Sequence, residues 1–273
     1  MSEEILSFFL SFFQNFSLVG FGLAIAFGAV WLAGYWPPFH RNPWLWVVLV
    51  ASALLTLVAI AFIQIPLQYL VGNTLSRFFS QQTLVDWMLL AGIPGIALSG
   101  LVQEAAKMVP MMVFWGRQGR ILDPKLGLCL GAAAGAGFGI FEANWAHGLT
   151  LTAGWNWQTV SDYGLIALAP FWERLFAVAF HISASALVGY GLAKGWGWQF
   201  YLIASLFHGI LNYVTILLQS GMMSLIEVEI FIAVWSVVIT IGVLWLRWER
   251  IHPAAESTGE SNTAEDSKTS AFS

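Results

Sequence analysis

Four stretches of this 273-residue chain set polar and ionisable side chains inside long apolar runs. They are QEAAK at Gln103–Lys107, GFGIFE at Gly137–Glu142, the stretch from Glu173 to His181, and HGILN at His208–Asn212. A charged group at the centre of a bilayer costs about 2.5–3.5 kcal/mol even on the lenient insertion scale. Glu104, Lys107, Glu142, Arg174, His181, His208 and Asn212 are therefore expected to be paired or put to use. Two acids, two histidines and an amide suit hydrolysis in two ways. In one, a carboxylate activates water, a histidine shuttles the proton and Asn212 donates to a developing oxyanion. In the other, His181, His208 and a glutamate such as Glu142 hold zinc and leave a position open for water. No single helix carries an H-E-x-x-H pair, so zinc ligands would have to come from separate spans.

Spacing places these groups in one layer. At about 1.5 Å per helical residue, Glu104 lies roughly 20 Å from Arg117 and His181 roughly 20 Å from Lys194. Glu142 lies roughly 25 Å beyond Lys125, and His208 roughly 15 Å beyond Trp198. Four helices of alternating direction thus bring their polar groups to similar depth. Helical faces agree. Glu104 and Lys107 are spaced i,i+3, acid first, as an ion pair requires. Arg174, His181 and Ser185 share one face, and His208 and Asn212 share another. Gly127, Gly131, Gly135 and Gly139 recur every fourth residue, a ladder that lets a neighbouring helix approach closely. Glu142 follows on that side.

The elements that must hold these groups are membrane spans. The chain is 58% hydrophobic and 10% charged, with 15 Trp and 21 Phe; soluble domains carry about 25% charged residues. Continuous rather than alternating apolar runs exclude a β-barrel. The expected fold is an all-α polytopic bundle of about seven spans: Leu18–Trp36, Trp44–Val71, Leu84–Trp115, Leu126–Thr150, Ile166–Ala193, Phe200–Leu218 and Glu229–Trp245. Residues 1–17 read as an N-terminal segment, either an interfacial helix or an extension of the first span. Residues 18–250 form the bundle, and residues 251–273 a disordered tail rich in Ser, Thr, Glu and Ala. The opening MSEEILSFFLSFF has acids where a signal peptide needs Lys or Arg, so no cleaved leader is expected.

Arg41, Arg117, Arg120, Lys125, Lys194, Arg247, Arg250 and Lys268 all fall on one side of a seven-span chain, and only Arg77 on the other. The positive-inside rule then puts the N-terminus outside and the C-terminus in the cytoplasm. The net charge of −4 comes largely from the tail. No basic patch lies outside short loops, which argues against nucleic-acid binding. The lone Cys129 excludes a disulfide framework and a cysteine metal site. His40, His147 and His252 lie at or near loops.

The four segments resemble the PrsW and YhfC families of intramembrane proteases, relatives of the type II CAAX prenyl endopeptidases and bacteriocin-processing enzymes. The family pattern is EExxK, GFxxxE, FxxxH and HxxxN or HxxxD on successive helices. Here it reads Gln103-Glu104-x-x-Lys107, Gly137-Phe138-x-x-x-Glu142, Ala177-x-x-x-His181 and His208-x-x-x-Asn212, and ERLFAVAFHISASALVGYG with LFHGILNY is closest to YhfC. The resemblance covers about Leu101 to Tyr213. It implies a multi-pass endopeptidase of bacterial or archaeal type in the plasma membrane, acting on membrane-anchored or lipidated protein substrates in a lipid setting. It makes Glu104 the general base, assisted by Glu142, with His181 and His208 supporting water and transition state. Asn212 donates to the oxyanion, and Lys107, Gln103 and Arg174 support the site. Three positions depart from the pattern, one being Ala143, which follows Glu142 where PrsW commonly has Asn, with Asn144 one further on. Gln103 stands where related glutamic-type proteases carry the water-activating acid, and Ala177 replaces a phenylalanine. Two rivals are a non-catalytic pseudoprotease or membrane scaffold, which Gln103 favours, and a proton-coupled transporter or sensor, which would use the same groups as a relay.

Overall fold

A computed structural model describes residues 2–248; the segment expected to be a tail, and with it Arg250, His252 and Lys268, lies outside the described residues. Every regular element among the described residues is helical. Seven helical stretches are long and apolar enough to cross a membrane: Leu18–Tyr35, Trp44–Phe78, Met88–Arg117, Pro124–Thr152, Trp157–Ala193, Gly197–Gln219 and Leu225–Trp248. They are called the first to seventh spans below. A separate helix, Ser2–Gln14, precedes them. The chain breaks after it, and Ser17 caps the first span by accepting from the Gly20 N–H at 3.2 Å. Its aromatic face docks on the bundle: Phe12 stacks on Phe141 at 4.4 Å and on Trp145 at 5.3 Å, while Phe9 meets Phe62 of the second span at 5.5 Å.

The fourth and fifth spans form the centre and are mostly buried; the others face outward along much of their length. Small residues make this possible. A Cβ added at Gly131 would lie 1.9 Å from the Ser185 carbonyl oxygen, and one at Gly135 2.1 Å from that of His181. Gly127 meets the Gly189 oxygen in the same way, at 2.5 Å, and Gly139 faces the His181 Cβ at 3.3 Å. The expected glycine ladder is thus the contact line between the fourth and fifth spans. Backbones in lipid associate through such close packing rather than through a hydrophobic driving force. Gly137 faces the other way, where a Cβ would sit 1.9 Å from the Leu49 oxygen of the second span.

Polar side chains fasten the outer spans. Tyr35 donates its hydroxyl to Ser183 at 2.9 Å, and Ser183 shares a 2.8 Å hydrogen bond with Thr240 of the seventh span. Tyr201 and Tyr213 of the sixth span donate to the Leu101 and Leu89 carbonyls. His147, expected near a loop, is instead fully buried between the first and fourth spans, with Nδ1 3.1 Å from the Gly20 carbonyl.

The second span is not uniform. Ile60–Gln64 is a π-helical turn inside it, and Pro66 follows two residues later. Proline has no N–H for the carbonyl four residues back and its ring crowds that turn, so the ladder widens by one residue. Pro94 opens the main helix of the third span, Ile93–Arg117, and Pro110 lies inside that helix without ending it.

Candidate functional site

The third span contributes Glu104 and Lys107 from successive turns of one face. The Lys107 ammonium donates to Glu104 Oε1 at 2.5 Å. The same ammonium lies 3.2 Å from His181 Nδ1 of the fifth span. His208 of the sixth span donates from Nδ1 to Glu104 Oε1 at 2.7 Å. On the far side of the His181 ring, Nε2 lies 2.7 Å from Glu142 Oε2 of the fourth span. Four helices therefore converge through five ionisable side chains in an unbroken series: Glu142, His181, Lys107, Glu104, His208.

Those bonds settle ring chemistry by donor and acceptor logic. An ammonium can only donate, so His181 Nδ1 is the acceptor and Nε2–H the donor to Glu142. His208 faces a carboxylate through Nδ1, so the proton sits there and the Nε2 lone pair is left over. No hydrogen bond reaches His208 Nε2 among the described residues. Glu104 Oε2 is buried without a partner. Phe138 and Phe180 wall the cluster. The Lys107 ammonium lies 5.0 Å from the Phe138 ring centroid, and Phe180 packs edge-on to both histidines. The two imidazoles are 5.1 Å apart between centroids.

Access is graded. Glu104, Lys107, His181 and His208 are no more than 2% exposed. The Glu142 side chain is 18% exposed and that of Glu173 35%. Arg174 links them, with Nη1 3.5 Å from Glu142 Oε2 and Nη2 paired with Glu173.

Two expected site residues sit apart from this series. Asn212 donates its amide to Ser99 Oγ at 2.9 Å, one turn of the sixth span beyond His208. No hydrogen bond or ion pair joins it to the cluster among the described residues. Gln103 faces the second span and donates to Gln64 Oε1 at 3.0 Å, leaving its own Oε1 buried and unpaired. Gln64, Ser99 and the aromatic wall Phe180 went unread in the sequence, whereas Phe138 stood in the GFxxxE motif. Gln64 had a signal: it is one polar residue in LVAIAFIQIP, beside a proline.

One ligand atom each from Glu104, His181 and His208 lies within 4.8 Å of the others. The expected zinc trio had Glu142 with the two histidines; the geometry puts Glu104 in that place and Glu142 behind His181. Residues 158–233 match the model of the YhfC intramembrane metalloprotease family. No curated protein and no solved structure matches the chain. The YhfC match takes in His181, His208 and Asn212, while Glu104, Lys107 and Glu142 lie outside it and join it only through the fold.

The metal in that family's description can be tested against these residues. Two imidazoles and one carboxylate form a donor set used by catalytic zinc, which keeps a further position open. Glu104 Oε2 is buried and unpartnered, so it offers ligand capacity that no protein group uses, while the Lys107 ammonium occupies Glu104 Oε1 and His181 Nδ1. Glu142 behind His181 reproduces the carboxylate–histidine arrangement that orients metal-bound imidazoles. The residues fit a divalent cation.

Proposed function

We propose that this chain is an intramembrane metalloprotease that hydrolyses peptide bonds of membrane-associated proteins. The observation that carries the reading is the Glu104–His181–His208 cluster, buried at membrane depth on three spans, with ligand atoms within 4.8 Å of one another. The YhfC match over residues 158–233 supports it. Glu104, His181 and His208 would hold the ion. When bound, zinc lowers the pKa of a coordinated water and polarises a carbonyl as a Lewis acid.

The chain's own groups do the remaining work. Glu142 holds the His181 ring through Nε2–H and so keeps the Nδ1 lone pair turned to the side where Lys107 and Glu104 lie. It is also the most open acid bonded to the cluster, and from the far side of the ring it raises the basicity of His181 as a ligand. Arg174 keeps Glu142 in place from the exposed side. Phe138 and Phe180 exclude bulk water and lower the local dielectric. Asn212, bonded to Ser99, fastens the sixth span to the third at the level of the site. The proposed setting is a cell membrane, with membrane-anchored or lipidated protein substrates.

A second reading has its own observation. The Lys107 ammonium already lies among the donors, 2.5 Å from Glu104 Oε1 and 3.2 Å from His181 Nδ1. It supplies a positive charge there without a metal, and Glu104 would then act as general base. Cleavage of a single-span reporter in proteoliposomes, with metal content measured on the same preparation, separates the two. Activity lost to chelator, restored by zinc, and absent in Glu104→Gln and His208→Ala supports the metalloprotease. Chelator-resistant cleavage supports the metal-free base. Reporter binding without cleavage at any pH or metal supply points to a pseudoprotease and ends both.

A further inference from the structure

A cavity lies at the end of the bundle where the first and seventh spans finish. Its volume is about 630 Å³, and Ala29, Leu32, Trp36, His40, Arg41 and Arg247 are among its lining residues. The two ends of this cavity differ in chemistry. Ala29 and Leu32 belong to the first span and form an apolar wall that runs along the bilayer. Arg41, His40 and Arg247 form the mouth. Trp36, Trp245 and Trp248 at the same end are all more than 60% exposed. Exposed tryptophans of this kind mark the headgroup level of a membrane.

The mouth is prebuilt. Arg247 donates from Nε to the Tyr35 carbonyl at 3.1 Å, which fixes the guanidinium while its two Nη groups bond no carboxylate among the described residues. Trp36 adopts a left-handed conformation at φ 45, a strained state for a non-glycine residue that persists only where its surroundings hold it. Pro37 and Pro38 follow, and the Arg41 and Asn42 amides both bond the Pro38 carbonyl. The loop's backbone bonds thus hold Arg41 in a cavity wall that Arg247 also lines. None of these residues touches the Glu104 cluster.

We infer that this cavity binds an anionic phospholipid, with the phosphate between Arg41 and Arg247 and the first acyl carbons along Ala29 and Leu32. A guanidinium fork matches phosphate geometry, basic pockets between spans at the positively charged side recruit anionic headgroups, and the apolar wall suits an acyl chain rather than a free anion.

Native mass spectrometry of the full chain, purified in detergent and offered phosphatidylglycerol or phosphatidylcholine, tests the site. The expected result is retention of one phosphatidylglycerol in preference to phosphatidylcholine, falling about fivefold for each arginine removed in Arg41→Gln and Arg247→Gln. Arg77→Gln, at the opposite end of the bundle, leaves retention unchanged. Arg247→Gln gives up the bond to Tyr35, so Arg41→Gln, which keeps it, is the deciding variant if the other misfolds. Equal retention of the two lipids, or phosphatidylglycerol held as well by Arg41→Gln as by the parent chain, overturns the proposal. Displacement of the lipid by millimolar inorganic phosphate also overturns it, because the site would then belong to the free anion.

Discussion

Lys107 is the side chain on which the chemistry of the cluster turns. It is fully buried, and its ammonium is shared by Glu104 and His181. A cation bound by those two groups has to displace it. In the metalloprotease reading, Lys107→Met therefore raises zinc affinity by roughly tenfold or more, read by competition with a chromophoric chelator. If Lys107 instead only holds Glu104 in position, the same variant loses affinity. Glu142→Gln keeps the shape but weakens the grip on the His181 ring, and a loss of about 10–100-fold in metal affinity is expected. Both measurements read metal binding directly, so neither depends on finding the substrate. The Glu104–Lys107 pair was legible from its i,i+3 spacing, and the common depth of His181, His208 and Glu142 from counting residues. Which acid faces which imidazole was not. That depends on helix rotation, and one residue of rotation turns a side chain by about 100°.

At the scale of elements, the fourth span does the positioning because it is nearly free of side-chain bulk. Its glycines bring backbone against the carbonyls of Ser185 and His181, and this sets Glu142 beside His181 Nε2. Gly135→Leu would force a Cβ to within 2.1 Å of the His181 oxygen, and backbone cannot yield as a side chain can. The cost should exceed the roughly 1–3 kcal/mol of ordinary overpacking, seen as a clear fall in the thermal unfolding midpoint in detergent. Gly72→Leu is the matched control, since a Cβ there meets nothing within 4 Å; its midpoint should stay near that of the parent chain. The four-residue glycine period disclosed the ladder in advance. The π-turn of the second span was not disclosed, although Pro66 was in view. A proline can kink, end or widen a helix, and the sequence around it does not say which; in the fold the last residue of the widened turn, Gln64, accepts from Gln103 of the third span.

At the scale of the whole molecule, hydropathy alone located the seven spans. Their buried and exposed sides did not follow from it, because every face of a spanning helix is apolar whether it meets lipid or protein. Seven spans would place the two ends of the bundle on opposite faces, and the bias of Lys and Arg predicts which face is which. The single Cys129 is buried, so the parent chain supplies a nearly silent background for labelling. Cysteines introduced at His40, Gly119 and Gly195 stand in the turns between the first and second, third and fourth, and fifth and sixth spans. Cysteines at Ser80, Gly154 and Gly221 stand in the alternate turns. In sealed right-side-out vesicles an impermeant maleimide should label the second group at once and the first only after the vesicles are opened. Labelling of both groups together, or of the first group alone, would reverse or break the seven-span order. That result would also move the anionic-lipid cavity, which lies beside His40, out of the leaflet that the positive charges predict.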